Sequence, residues 1–141
     1  MRKIKTILLA LTIAIVMPTM TYSQTEKEVE KKWERVMNAI IKVESGGNPK
    51  VQSKDCVGVL QIRPILVYDV NEYLKIKKSK KRFTLNDRFN VSKSKEMFVL
   101  YQERYNPTNN VEKAIRLWNG GCGYNLSKTE KYYRKVLAHM K

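Results

Sequence analysis

Residues 29–49, VEKKWERVMNAIIKVESGGNP, decide the fold of this chain. Apolar side chains recur there three and four residues apart, as on one face of an α-helix: Val29, Trp33, Val36, Met37 and Ile40. The glycine pair and the Asn-Pro of residues 46–49 stop such a helix after Ser45. Thr25 and Glu28 form a capping-box pattern at its start. The pattern therefore predicts a long amphipathic helix from about Thr25 to Ser45.

Glu44 lies where this apolar stripe predicts a core residue. It follows Ile40 by one more step of four, so it shares the apolar face of the helix. Burial raises the pKa of a carboxyl group, and the negative end of the helix dipole acts in the same direction. A carboxylic acid that stays protonated near neutral pH can donate a proton to a leaving sugar oxygen. The alternative is a glutamate that turns to solvent or pairs with Arg35 or Lys42.

Four further helices are predicted after a loop with short extended or turn segments over residues 48–63. Pro64 opens one that runs to about Leu74, and another covers Val91 to Tyr105, before Pro107. Two more open at capping pairs: one from Asn109 and Glu112 to the stop at Gly120-Gly121, and one from Ser127 and Glu130 through Leu137. Five helices with short connections predict one compact, mainly α domain.

The N-terminus has the pattern of an export signal. A basic start over residues 2–5 precedes an uncharged apolar run over residues 7–17, and Thr21-Tyr22-Ser23 offers a cleavage site after Ser23. The apolar run is shorter than the roughly 20 residues that span a bilayer. We therefore predict a signal peptide over 1–23, a single domain over 24–141, and a periplasmic or secreted protein; an uncleaved anchor is the alternative.

The charge of the chain favours an anionic partner. There are 28 lysine and arginine residues against 13 acidic ones, a net charge of +15. Wall polymer, membrane surface and nucleic acid all fit this charge, but the export signal and the lack of a nucleic-acid motif disfavour nucleic acid. The densest basic run, residues 77–82, is predicted to be a solvated loop, whereas membrane-active proteins need a basic amphipathic helix.

Four elements in order resemble the signature of the soluble lytic transglycosylases. Glu44 to Pro49 with Ser53 is similar to the family's E-S-x-x-N-P stretch and the serine after it, and residues 58–64 (GVLQIRP) are similar to its G-L-M-Q-I-x-P strand. Residues 118–121 (WNGG) resemble its Y-N-x-G element, and residues 129–136 resemble its closing T-x-x-Y-x-x-K-V. Each element alone marks little more than a turn, but together they are fairly specific and cover most of the chain.

The resemblance implies a mainly α, α+β lysozyme-like fold with a small β-like element beside a substrate cleft. It implies cleavage of the bond between N-acetylmuramic acid and N-acetylglucosamine in peptidoglycan, with Glu44 as catalytic acid and base. Glu44 then protonates the leaving oxygen and afterwards accepts the proton of the muramic acid C6 hydroxyl. That hydroxyl attacks C1, so a 1,6-anhydro sugar forms and no water is consumed.

The resemblance also implies substrate-binding roles for five residues: Ser53, Gln61, Trp118, Asn119 and Tyr132. Ser53 and Gln61 alternatively bond local backbone, as polar loop residues often do, and Trp118 is either a core aromatic or a platform for a sugar ring. Tyr132 and Tyr133 lie on different sides of a helix, so only one can face the cleft, and the motif register favours Tyr132.

Three departures from the family pattern concern the cleft. The turn from Ser53 to Gly58 is one residue shorter and has Asp55-Cys56 where Gly-Ala is usual, Leu60 replaces methionine, and Trp118 replaces tyrosine. Cys56 and Cys122 stand in or beside two cleft elements, so we predict a disulfide between them in an exported protein. The sequence offers no set of metal ligands and implies no cofactor.

Two other functions remain open on the sequence. Goose-type lysozymes share the implied fold but hydrolyse the bond with an added acid; Arg63 occupies that acid's place after the Gln-Ile pair, whereas Asp55 lies near the place of another. A noncatalytic peptidoglycan-binding module is the second alternative, although a pure binder has no need of Glu44. The expected partner is the peptidoglycan glycan strand, bound by a monomer.

Overall fold

A computed structural model describes residues 22–141, with side chains described from Lys31 onward. Five α-helices, a short 3-10 helix and a two-stranded sheet follow in the order α1 Tyr22–Ser45, β1 Gln52–Ser53, β2 Cys56–Val57, α2 Pro64–Ile76, the 3-10 helix Leu85–Phe89, α3 Val91–Tyr105, α4 Val111–Gly120 and α5 Leu126–Ala138. The predicted mainly α fold with a small β-like element is thus confirmed. The predicted signal peptide lies outside the described residues, apart from Tyr22 and Ser23 at the start of α1.

Helix α1 is the centre of the packing. It contacts α3, α4 and α5, while α2 packs on α3 and α4 packs on α5. From Trp33 to Ile40 its apolar stripe is buried as the periodicity predicts, and Trp33 meets Phe98 of α3 edge to face at 5.8 Å. Each such buried side chain stabilises the fold by about 1.5–3 kcal/mol. None of the helices in the described part of the chain is long and apolar enough to cross a membrane.

The helix starts differ from the predicted ones at three places. Helix α1 already begins at Tyr22, so Thr25 lies inside it. Asn110 caps α4 in place of Asn109, because Asn109 has a left-handed backbone with φ +53° whereas an N-cap needs an extended one. Asn125 caps α5 and accepts a hydrogen bond from the Lys128 amide at 3.1 Å, which leaves Ser127 within the first turn.

The 3-10 helix is absent from the sequence-based prediction. Its first turn closes on Thr84, whose amide donates to the Asp87 carboxylate at 2.8 Å. The basic loop of residues 77–82 precedes it, exposed apart from Ser79 as predicted. Two of its lysines nevertheless pair with carboxylates of α3: Lys77 with Glu103 at 2.8 Å, and Lys81 with Glu96. The loop is therefore tied to α3 and is less free than its composition indicates.

A nearly buried guanidinium joins the last two helices. Arg116 of α4 is 4 % exposed and donates to Glu112 at 2.8 Å and to Glu130 of α5 at 2.6 Å. The same group lies over the ring of Tyr133 at 4.4 Å. These contacts fix the rotation of α5 about its axis, and with it the direction in which the neighbouring Tyr132 points.

Candidate active site

Glu44 lies in the last turn of α1 and lines a cavity of about 730 Å³. The Tyr132 hydroxyl of α5 donates a hydrogen bond of 2.6 Å to Glu44 Oε1 across 88 residues of sequence. The apolar face of α1 therefore does not end with a glutamate that points into solvent. It leads from the core to a half-buried carboxyl group held by a phenol.

Burial raises the pKa of Glu44 above its ordinary value of 4.5. The hydrogen bond from Tyr132 and the positive charges of Lys135 and Arg63 act in the opposite direction but do not cancel the effect of burial. Burial and the adjacent carboxylate of Glu44 also raise the pKa of Tyr132, so its hydroxyl keeps its proton and stays a donor. The pair can therefore hold and release a proton at one fixed oxygen.

The cavity is walled by α2, α3, the end of α4 and the loop between α1 and α2. We call residues 48–63 the cleft loop. The lining residues are Glu44, Ser53, Cys56, Gln61, Ile62, Arg63, Ile65, Leu66, Tyr68, Asp69, Glu72, Tyr101, Tyr105, Leu117, Trp118, Asn119, Gly120, Gly121 and Cys122. Elements distant in sequence therefore meet around one carboxyl group, and four of the five predicted substrate-binding residues lie in the wall.

Ser53 and Gln61 reach the cavity in different ways. Ser53 ends β1 and is exposed. Gln61 has a left-handed backbone, φ +49°, and its side-chain Nε2 donates to the carbonyl oxygens of Gly58 at 2.9 Å and Val51 at 3.1 Å. The amide nitrogen of Gln61 thus holds the cleft loop together, which is the local backbone role left open by the sequence.

Trp118 and Asn119 border the cavity at the end of α4. The indole Nε1 of Trp118 donates to Leu60 O at 3.2 Å, and its ring packs on Phe98 at 4.9 Å and edge to face on Tyr101 at 6.0 Å. Trp118 therefore joins core and cavity, with part of its ring exposed. Asn119 is exposed and can offer its amide to a ligand.

The far wall of the cavity was not predicted. Asp69 of α2 accepts hydrogen bonds from Tyr105 of α3 at 2.8 Å and pairs with Arg104 at 3.1 Å. The sequence assigns no site role to Asp69 or to the two tyrosines of α3 that line this wall, Tyr101 and Tyr105. The spacing of Tyr101 and Tyr105, four residues apart on one helix face, is the signal that could have placed them together.

The predicted disulfide is absent from the structure. Cys56 and Cys122 are free thiols, although both line the cavity. The Cys56 thiol faces Asp55 Oδ1 at 3.7 Å, whereas the sulfur of Cys122 lies 3.6 Å from the Tyr101 hydroxyl. The structure does not show the predicted bond: a disulfide needs the two cysteines close together and aligned, and each sulfur here contacts another side chain instead.

Because both cysteines are free in the structure, the number of titratable thiols can be predicted. Thiol titration of denatured protein that has not been reduced is expected to count two groups per chain, because neither sulfur is bonded to another cysteine. A sample reduced beforehand serves as the control and should give the same count. A count of zero before reduction and two afterwards would restore the disulfide.

Within residues 22–141, no group of three or more histidine, cysteine, aspartate or glutamate side chains is placed to hold a metal ion. A carboxyl group with a raised pKa lines a cavity large enough for a ligand, and it accepts a hydrogen bond from a phenol and lies near two cations. Such an arrangement suits proton transfer to a bound substrate.

Comparison with protein families matches the chain to the transglycosylase SLT domain over residues 21–137. No curated protein and no solved structure matches the chain significantly. The matched family has the lysozyme-like fold that the helices and small sheet show, and its activity is of the peptidoglycan-cleaving type. The match covers most of the chain, from the start of α1 nearly to the end of α5. The chain therefore belongs to the transglycosylase SLT domain family of the lysozyme-like superfamily.

Proposed function

We propose that this protein is a lytic transglycosylase that cleaves the β-1,4 bond between N-acetylmuramic acid and N-acetylglucosamine, with Glu44 as acid and then base. The observation that carries the proposal is the Glu44 carboxyl group, whose pKa is raised and whose Oε1 is held by Tyr132 at 2.6 Å in the wall of the cavity.

The protonated Glu44 donates its proton to the glycosidic oxygen as the bond from C1 of muramic acid to that oxygen breaks. The carboxylate that remains accepts the proton of the muramic acid C6 hydroxyl as this oxygen bonds to C1. Glu44 is thereby protonated again, and the products are a 1,6-anhydro end and a free 4-hydroxyl. Burial favours the first step, and the hydrogen bond from Tyr132 stabilises the carboxylate between the two steps.

The charges that shift the pKa of Glu44 support this reaction over hydrolysis, although two further carboxylates, those of Asp69 and Glu72, line the same cavity. An inverting hydrolase needs a second carboxylate that activates water, about 6.5–9.5 Å from the first. Among the described residues, the charges that shift the pKa of Glu44 are those of Lys135 and Arg63, both positive. Asp55, the acid that the sequence left open for this role, instead acts on Arg63 and accepts from the Cys56 thiol.

Product analysis tests the proposal directly. We expect that digestion of purified peptidoglycan by the wild-type enzyme gives fragments with 1,6-anhydro-muramic acid ends, which are one water lighter than reducing-end fragments in a mass spectrum. A hydrolysing lysozyme acting on the same preparation supplies the reducing-end control. Reducing ends from this protein would replace transglycosylation by hydrolysis, and binding without any fragments would favour the noncatalytic module.

The proposal includes export. Its substrate lies outside the cytoplasmic membrane, and the basic start and apolar run of residues 1–23 are typical of a signal peptide. We propose that the domain of residues 24–141 acts in the periplasm or outside the cell as a monomer. Its net charge draws it to the anionic wall.

A further inference from the structure

Arg88 of the 3-10 helix is an unusual buried cation. The residue is only 9 % exposed, and its guanidinium group forms no ion pair with a carboxylate of the described residues. Removing a guanidinium from water without a counter-charge is costly unless its donors are satisfied. Here backbone carbonyl oxygens accept from two of its three nitrogens: Nε donates to Leu85 O at 2.8 Å, and Nη1 donates to Asp55 O at 2.9 Å and Ile62 O at 3.0 Å.

The last two of these oxygens belong to the cleft loop. Asp55 lies in the turn between β1 and β2, and Ile62 follows Gln61. One nitrogen of Arg88 therefore joins the two ends of the segment that carries Cys56 and Gln61 into the cavity wall. A planar guanidinium suits such a bridge because its donors have fixed directions.

The backbone of the 3-10 helix also lies directly against the loop. Gly58 has φ +79°, and a Cβ atom added there would stand 1.9 Å from Arg88 O. Ser94 of α3 donates to the same oxygen at 2.9 Å. The position of Arg88 is thus fixed from both sides, and only glycine permits the close approach.

Three side chains from outside hold neighbouring carbonyl groups of the cleft loop. Ser45, next to Glu44 on α1, donates to Val59 O at 2.8 Å, and Trp118 of α4 donates to Leu60 O at 3.2 Å. Arg88 holds Ile62 O and thereby completes the set. The three donors come from three elements, so together they set where the loop stands relative to Glu44.

We propose that Arg88 is a positioning residue of the active site, which holds the cleft loop at its working distance from Glu44. Arg88 lies behind the loop and not in the cavity wall, so it acts on catalysis only through the groups that the loop carries. Its effect on turnover rests on the proposed function, whereas its effect on the loop does not.

Arg88→Lys and Arg88→Met test the proposal. Lysine keeps the charge but lacks the planar fork, and methionine removes all donors. We expect kcat on peptidoglycan to fall about tenfold to a hundredfold in Arg88→Met and less in Arg88→Lys, measured well below the lowest Tm, with KM changed little. Arg82→Met is the control, since Arg82 also donates to a backbone carbonyl oxygen, Ser79 O at 2.8 Å, but lies in the basic loop outside the cavity wall; it should leave kcat unchanged.

Hydrogen exchange provides a readout that needs no activity. The amides of Gly58 and Ile62 donate within the cleft loop at 2.8 Å and 2.9 Å, and we expect both to exchange faster in the Arg88 variants. The Gly121 amide, bonded to Leu117 O at 2.9 Å, should exchange as in the wild type.

The outcomes separate the two proposals. Unchanged loop exchange together with unchanged kcat overturns the role of Arg88, and so does a failure of both variants to fold, since Arg88 would then serve the core alone. A wild-type protein that cleaves no peptidoglycan overturns the proposed function, and faster loop exchange in the variants would still support the positioning of the loop.

Discussion

Glu44→Gln is expected to abolish cleavage of peptidoglycan. Glutamine keeps the shape of the side chain and an oxygen that accepts from Tyr132, but it neither donates the proton to the leaving oxygen nor accepts one from the C6 hydroxyl. Loss of a general acid or base costs about 10²–10⁴-fold in rate. One group serves both steps here, so we expect a loss at the upper end of that range, measured as the release of soluble fragments.

A matched control exists on the same helix. Glu34 is an exposed glutamate of α1, and Glu34→Gln should leave turnover unchanged. Sedimentation with insoluble wall should show that Glu44→Gln still binds, because the variant retains the cavity and the basic charge. If Glu44→Gln cleaves as fast as the wild type, Glu44 is not the catalytic acid.

The same variant has a predictable effect on stability. Because burial raises the pKa of Glu44, the folded state holds the proton more tightly than the unfolded chain does. The resulting stabilisation is complete below the ordinary value of 4.5 and is lost as the pH rises through the raised pKa. At neutral pH, the Tm of Glu44→Gln should therefore equal or exceed that of the wild type. The variant would then keep or gain stability while it loses activity.

Tyr132→Phe is also expected to cause a large loss of turnover. It removes the 2.6 Å hydrogen bond on Glu44 Oε1 and keeps the ring. A hydrogen bond to a charged group contributes about 1.5–3 kcal/mol, so kcat should fall about 10- to 100-fold. That bond lowers the pKa of Glu44, so its loss raises the pKa further. The alkaline limb of the pH profile of kcat/KM, which follows loss of the Glu44 proton, should therefore move to higher pH.

Tyr133→Phe is the control for this variant. Tyr133 is the next residue, but its ring packs under the Arg116 guanidinium at 4.4 Å and not against Glu44. Its pH profile should match that of the wild type. An alkaline limb that stays in place or moves to lower pH in Tyr132→Phe would contradict the assigned role of its hydroxyl.

Much of the fold could be predicted because it depends on local sequence. The spacing of apolar residues gave the helices, and Pro64 and the glycine pairs gave their ends to within a few residues. The caps of α4 and α5 were less accurate, since several asparagine and serine residues compete there and only the backbone conformation selects one. The 3-10 helix was missed because five residues contain too little periodicity to detect.

Part of the site could also be predicted, because it too depends on local sequence. Glu44 stood out as a carboxyl group on an apolar face, and the cleft loop has a motif with glycine at fixed places. The predicted disulfide is not present in the structure, since sequence order indicates which elements meet but not whether two sulfurs come within bonding distance. The role of Gln61 Nε2 in bonding loop backbone is a matter of side-chain direction, which periodicity leaves open.

The sequence by itself determined that this chain is mainly helical, that a glutamate ends its longest apolar stripe, and that four elements of the family lie in order around it. The tertiary structure decided that Tyr132 rather than Tyr133 meets that glutamate, that its pKa rises, and that Arg88 holds the loop beside it. Helix formation follows from neighbours three and four residues apart. Burial, by contrast, and hydrogen bonds such as the one across 88 residues, depend on how the helices pack.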